Sequence, residues 1–217
     1  MLEHRTISLA EQVFDRLETD ILSGKYQHGE MLTELGLCAD LGVSRTPIRE
    51  ALRRLEQEHI IEVTPRGILV LGVSQKDLSD ILEIRIRIEG LAARMAAERI
   101  TDEEIEQLRE TIELQEFYVP KHDAARINGM DSKFHLLIYR FSGSIPLYDT
   151  LMPLHKKVLK YRHASVENEV RSADSSMEHR AIFEAIAAHD PDLAEDRMKA
   201  HIANAKAFIQ TKNTSEN

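Results

Sequence analysis

One carboxylate and three imidazoles in the second half of the chain have residue types and a spacing that suit a metal ion. Asp131 and His135 are four positions apart, so on a helix they lie one above the other on a single face. His179 and His201 fall in two later segments with helical periodicity. Three such helices facing a common axis would hold a divalent metal with one or two coordination positions open. A histidine on a helix is more often a surface or hydrogen-bonded residue, so the spacing alone leaves both roles open.

Three arginines between residues 45 and 53 have the spacing of a DNA-reading helix. Arg45, Arg49 and Arg53 are four residues apart and lie along one face of a predicted helix. Arginine suits this role because its planar fork donates two hydrogen bonds to guanine O6 and N7, or to a phosphate. The same spacing also fits a solvated face interleaved with Glu50 and Glu56, so the arginines alone do not decide.

The elements around these arginines are in the order of a winged helix-turn-helix. The pattern predicts a helix capped by Ser8 and ending near Gly24, a short helix from Thr33 to Leu41, a third helix capped by Ser44 or Thr46, and two strands at 60–63 and 68–70. On this arrangement Thr46 would contact a phosphate or a thymine methyl group. Arg66 at the hairpin tip would reach an adjacent groove, and Gly67 would let the turn pass close to the DNA backbone.

Beyond Val73 the sequence has helical periodicity only, which predicts a second, all-helical domain. We therefore expect a mainly α protein with a winged helix-turn-helix at 1–73 and an antiparallel bundle at 74–217. The bundle is predicted to have six helices, at about 77–99, 101–118, 123–141, 146–166, 170–189 and 190–210.

Composition indicates an ordinary globular protein rather than a typical nucleic-acid binder. Of 217 residues 42% are hydrophobic, and the formal net charge is −9. Residues 1–73 are also acidic, with 8 Lys and Arg against 12 Asp and Glu, so a DNA-binding role depends on where the arginines lie. Cys38, the single cysteine, is interpreted as a buried hydrophobe rather than a redox sensor. With no signal peptide or membrane span in the sequence, we expect a cytoplasmic protein.

The segment from Leu41 to Leu55, LGVSRTPIREALRRL, closely resembles the signature of the GntR family of bacterial transcription regulators. Upstream LSGKY and GEML, and downstream PRG at 65–67, match the family in kind and order. The resemblance implies DNA contacts from Arg45, Thr46, Arg49 and Gly67, with Arg53 and Arg66 as further candidates. Leu35 and Gly36 depart from the pattern, since many members carry polar residues there.

The second half resembles the FadR-type (FCD) effector domain of the same family, in its shorter, VanR-like form with six helices. Ile84 to Ala97 matches the opening helix of that domain. Asp131, His135, His179 and His201 fall where metal-binding members carry one Asp and three His ligands, so the resemblance implies a divalent metal. Zinc is the expected ion, although nickel, manganese and iron suit the same ligands. Members that bind fatty acyl-CoA lack this set, which disfavours that ligand.

These features together predict a DNA-binding regulator, a repressor by expectation, that binds a palindromic operator as a homodimer. Its effector would be a small carboxylate held by the metal and by Arg85 or Arg162. A surface salt bridge is the alternative role for each of those arginines. A regulator for which the metal itself is the signal is the alternative function. An enzyme is disfavoured because the bundle has no paired Glu-x-x-His motif, no His-Glu-x-x-His and no Gly-x-Ser-x-Gly.

Overall fold

A computed structural model describes residues 7–158 and 167–215, with side chains to residue 211. The chain divides into two compact units, residues 1–75 and 76–217. The first unit contains three helices and three short strands: α1 (Leu9–Leu22), β1 (Met31–Leu32), α2 (Glu34–Leu41), α3 (Arg45–Gln57), β2 (Ile61–Thr64) and β3 (Gly67–Val70). The predicted winged helix-turn-helix is confirmed.

Local capping explains where the helices of the first unit begin. The Ser8 hydroxyl accepts a hydrogen bond from the Glu11 amide, and the Thr33 hydroxyl accepts one from the Gly36 amide, each at 3.1 Å. Ser44, one of the two predicted residues, is the N-cap of α3. The Ser44 side chain makes no cap hydrogen bond, and the turn between α2 and α3 begins at Gly42, the left-handed C-cap of α2.

Helix α3 packs against α1 through an aliphatic stripe. Leu17 of α1 and Ile48 and Leu55 of α3 are at most 1% exposed. Arg54 packs against α1. Its guanidinium lies 3.9 Å from the centre of the Phe14 ring and makes an ion pair with Glu11. The other arginines of α3 are left on the outer face.

A buried carboxylate holds the end of α1. Asp20 accepts hydrogen bonds from Arg16 at 3.0 Å and from Lys25 at 2.6 Å. Burial raises the pKa of Asp20, but the hydrogen bonds from Lys25 and Arg16 outweigh it and hold the pKa below its usual value. The charged carboxylate is thus the form that stabilises this turn.

The wing has one strand more than the sequence predicts. Its order is β1-β3-β2, both pairs being antiparallel, with Met31 opposite Leu69 and Val63 opposite Ile68. The strand β1 was not predicted, since its two residues are too few to show alternation. It ties the segment before α2 to the wing.

The described part of the second unit contains six α-helices and one 3-10 turn (Val119–Lys121): α4 (Gln75–Arg99), α5 (Asp102–Tyr118), α6 (Ala124–Phe141), α7 (Ile145–Lys157), α8 (Glu169–Ala187) and α9 (Pro191–Ser215). Thr101 and Glu104 form a capping box at the start of α5, a helix that the sequence predicts at 101–118. The fourth bundle helix was predicted to continue to Val166, but α7 ends at Lys157; residues 159–166 lie outside the described residues.

Small and aliphatic residues fill the bundle. Ala92, Ala93, Ala96 and Ala97 of α4 are fully buried, and their small side chains let neighbouring helices approach closely. Helix α5 packs on α6 and α8, and α8 packs on α9. None of the described helices is long and apolar enough to cross a bilayer.

Candidate metal centre and DNA-contacting helix

Three histidines from three different helices meet in the bundle. His135 of α6, His179 of α8 and His201 of α9 are 1%, 0% and 3% exposed. Each has a ring nitrogen within 4.8 Å of a ring nitrogen of the other two. Such a convergence of buried imidazoles provides donors that suit a transition-metal ion.

Each imidazole is oriented through its Nδ1 atom by a hydrogen-bond acceptor. The pairs are His135 with Glu89 Oε2 at 2.8 Å, His179 with Gln115 Oε1 at 2.8 Å, and His201 with Glu178 Oε2 at 2.7 Å. Since the acceptors are oxygens, Nδ1–H donates in each pair and the Nε2 lone pair is left to face inward. None of these three acceptors was singled out from the sequence.

The Nε2 atoms of His179 and His201 lie only 3.2 Å apart. Burial lowers the pKa of His201 to about 4, so this ring is neutral near pH 7. With the proton of each ring on Nδ1 and none on Nε2, the two Nε2 lone pairs would face each other across this distance. A cation coordinated by both nitrogens removes that repulsion, so the residues present fit a divalent metal.

Asp131, the fourth predicted ligand, lies beside the histidines. It is one turn before His135 on α6 and is 6% exposed. Its Oδ1 atom is 3.6 Å from Nε2 of His179. The structure thus brings the three predicted histidines together and places Asp131 beside one of them, His179. Carboxylate and imidazole donors suit zinc as well as nickel, manganese or iron.

Arg85 is not on the surface. It is 3% exposed and forms an ion pair with Glu89, which is fully buried and also holds His135. The surface salt bridge considered as an alternative role for Arg85 is therefore wrong. Burial raises the pKa of Glu89, but the charge of Arg85 and the hydrogen bond from His135 outweigh it, hold the pKa well below its usual value and keep the carboxylate ionised. Arg162, the other candidate, lies outside the described residues.

A small cavity of about 40 Å³ adjoins the histidines. Its walls include Arg85 and three of the four candidate ligands, Asp131, His135 and His201. A single water needs roughly 10–15 Å³ by the same measure, so the space suits a molecule of a few non-hydrogen atoms. A molecule bound there would lie in a cavity whose walls include candidate metal ligands and a buried guanidinium.

The candidate DNA-contacting residues of α3 share one exposed face. Arg45, Thr46, Arg49 and Arg53 are all exposed, whereas Ile48 is fully buried. Arg49 makes one contact that the sequence did not predict: its Nε atom lies 3.0 Å from the carboxylate of Glu34 on α2. Both partners are solvent-accessible, so a phosphate would compete with this ion pair.

At the tip of the wing, Arg66 and Gly67 differ in character. Arg66 is exposed, and its amide donates to the Thr64 hydroxyl at 3.2 Å. Gly67 has φ +139°, and a Cβ there would lie 2.7 Å from the carbonyl oxygen of Leu32. Glycine is therefore required for the wing to close on β1, whether or not the turn touches DNA.

Comparisons with known proteins cover both units. Residues 9–70 match the family described as bacterial regulatory proteins, gntR family, and residues 80–204 match the FCD domain. The chain is 29% identical over 197 residues to a probable D-xylose utilization operon transcriptional repressor of Paenarthrobacter nicotinovorans, covering 90% of this chain and 86% of that protein. It is 28% identical over 191 residues to the gluconate operon transcriptional repressor of Bacillus licheniformis, covering 86% of this chain and 79% of the relative.

A solved structure with a similar fold is that of E. coli McbR/YncC. The TM-score is 0.82 and the identity 25%, and the match covers 96% of this chain and all of the other. These relatives and this neighbour are similar along nearly the whole chain, so the likeness extends to both units.

Proposed function

The chain belongs to the gntR family of bacterial regulatory proteins and carries an FCD domain, and on that premise we propose that it is a repressor whose operator binding is modulated by a small organic acid held at a divalent metal. That it is a transcription regulator rather than an enzyme follows from the family. The proposal of an acid held at a metal is supported by one observation. Three buried imidazoles, each anchored through Nδ1, converge beside a cavity that is lined by a guanidinium.

The exposed face of α3 supports the assignment of DNA contacts. Arg45, Thr46, Arg49 and Arg53 are the side chains that would enter the major groove, with Arg66 reaching from the wing. One reading helix contacts few base pairs, so we propose that two copies of the chain bind a palindromic operator. The acidic net charge of −9 makes long-range attraction to DNA weak, which increases the need for a second contact.

The ligands proposed for the metal are Asp131, His135, His179 and His201. Glu89, Gln115 and Glu178 would hold the imidazoles in the correct tautomer, as outer hydrogen-bond partners do in metal sites. Four protein ligands leave a position for a carboxylate if zinc is five-coordinate or if the ion prefers six ligands. When bound, the ion supplies a Lewis acid that anchors the carboxylate.

An acid fits the cavity better than a neutral sugar. One relative is named for D-xylose, a neutral sugar, and another for gluconate, a sugar acid. In this chain the cavity is lined by Arg85 and by candidate metal ligands, so a carboxylate would be attracted from both sides. Acid binding would then favour one arrangement of the bundle and shift operator affinity by a coupling energy of about 1–3 kcal/mol.

Metal content tests the proposal first. Tag-free protein purified without chelator should contain close to one equivalent of metal by mass spectrometry. The double variant Asp131→Ala, His135→Ala should lose it, whereas His122→Ala, an exposed histidine of the same unit, should keep it. No metal in the wild type, even after incubation with zinc, nickel and manganese, would overturn the metal-anchored effector but not the DNA-binding role.

The alternative function, in which the metal itself is the signal, has a separate outcome. Operator affinity would then follow free metal concentration in the absence of any acid. The burial and threefold anchoring of the imidazoles favour a permanently held ion, for which operator affinity changes only when acid is added. Fluorescence anisotropy of labelled operator, titrated with zinc alone and with zinc plus acid, separates the two.

A further inference from the structure

Two side chains at the start of α8 add buried polar groups to the cavity. Arg171 and Ser172 line it and are 7% and 4% exposed. The Nε atom of Arg171 and the Oγ atom of Ser172 make no hydrogen bond within the described part of the chain. Buried donors without acceptors cost free energy, so their presence in a cavity wall indicates an acceptor that enters the cavity.

The remaining nitrogens of Arg171 are already engaged. Its two terminal nitrogens lie 3.0 and 2.8 Å from the two carboxylate oxygens of Glu178. Glu178 in turn accepts the Nδ1 proton of His201 and a hydrogen bond from Asn204. The guanidinium is therefore fixed in place by a two-point contact, and Nε is its one nitrogen with no hydrogen-bond partner among the described residues.

We propose that Arg171 Nε–H and Ser172 Oγ–H form a second recognition point, so that the effector is a short acid with a further acceptor group, a hydroxyl or a second carboxylate. This inference rests on the proposed function, in which the first carboxylate is held at the metal. Arg171 is paired with Glu178, and Glu178 holds His201, a proposed metal ligand. An acceptor group bound to Arg171 would therefore be connected to the metal centre through this ion pair. The acid would thus bridge α8 and the metal centre.

Ser172→Ala is the variant that tests this, and α8 provides its matched control. Ser176 is on the same helix, is 5% exposed and also has an Oγ atom without a partner among the described residues, but it is not part of the cavity wall. Ser176→Ala therefore removes the same group from the same kind of environment without changing the proposed recognition point.

The assay is calorimetric titration of zinc-loaded protein with matched acids: acetate against glycolate, propionate against lactate, and butyrate against succinate. In at least one of these pairs, wild type should bind the acid that has the second acceptor about tenfold more tightly than the acid that lacks it. A tenfold difference in affinity corresponds to the free energy of about one hydrogen bond. Ser172→Ala should lose that difference, Ser176→Ala should keep it, and all three proteins should hold equal zinc.

A second measurement separates binding from folding. Removing an unsatisfied buried hydroxyl should leave the melting temperature of the acid-free protein unchanged or higher. A clear decrease for Ser172→Ala would assign the hydroxyl to the fold and overturn the inference. If the two acids of each pair bound equally and only in the presence of zinc, the second recognition point would be overturned. The proposal that an acid binds at the metal would be unaffected. No binding across the panel would overturn both.

Discussion

Replacing Glu89 by Gln should weaken the protein in two independent ways. Glu89 is fully buried and is shared by Arg85, which is 3% exposed, and by His135. Without the carboxylate the guanidinium keeps its charge with no buried anion beside it, which typically costs about 3–5 kcal/mol. His135 also loses the carboxylate that orients it, and such losses typically weaken metal binding about 10–100-fold.

A double variant separates the two effects. In Arg85→Met, Glu89→Leu both charges are replaced by apolar groups of similar size, which is commonly neutral or stabilising. Stability should return to the wild-type level or above it, while metal affinity should stay about 10–100-fold low because His135 still lacks its partner. Glu83→Gln on the same helix is the control, since Glu83 is half exposed and its ion pairs should contribute at most about 1 kcal/mol.

Urea denaturation of chelator-treated protein measures the stability, and competition with a chromophoric chelator measures zinc affinity. If Glu89→Gln unfolded at the same urea concentration as Glu83→Gln, Glu89 would not be compensating the buried charge of Arg85. If the double variant bound zinc as tightly as wild type, the carboxylate would not act through His135.

Three further outcomes are expected in the first unit. Gly67→Ala should lower the melting temperature, because its Cβ would meet the Leu32 carbonyl and its φ would be strained by about 1–3 kcal/mol, whereas Gly129→Ala, with open space around it, should not. Glu34→Gln releases Arg49 from its ion pair and should therefore increase affinity for DNA of any sequence, as measured by binding titrations at several salt concentrations. Unchanged affinity would mean that this ion pair does not compete with DNA. The stability that Asp20 contributes is present above its unfolded pKa and is lost as pH falls through its lowered folded pKa, so in urea titrations Asp20→Asn should lose less stability than wild type on acidification; parallel curves would contradict this.

The sequence predicted the elements that have a strong local signal. Helical periodicity, Thr101 with Glu104, and Ser44 each mark a feature that a few adjacent residues determine. Strand β1 was missed because its two residues pair only through a partner nearly forty positions away. Its existence depends on tertiary contact, which no local pattern contains.

The four candidate ligands could be chosen from their types and from family resemblance, but their supporting residues could not. Glu89, Gln115 and Glu178 come from three helices and look like ordinary polar residues of amphipathic segments. Only the packing of α4, α5 and α8 shows that each faces an imidazole. Likewise, Arg171 became a candidate only when its burial and its cavity position were known.

The origin of the three imidazoles in three separate helices makes a bound ion a cross-link between α6, α8 and α9. Such an ion binds the folded bundle and not the unfolded chain, so it adds RT ln(1 + [M]/Kd) to the free energy of unfolding, about 4 kcal/mol at a thousandfold excess over Kd. The lifetime of the bundle against proteolysis would then rise and fall with the supply of free metal. The amount of this regulator in a cell, and not only its occupancy by effector, would depend on metal nutrition.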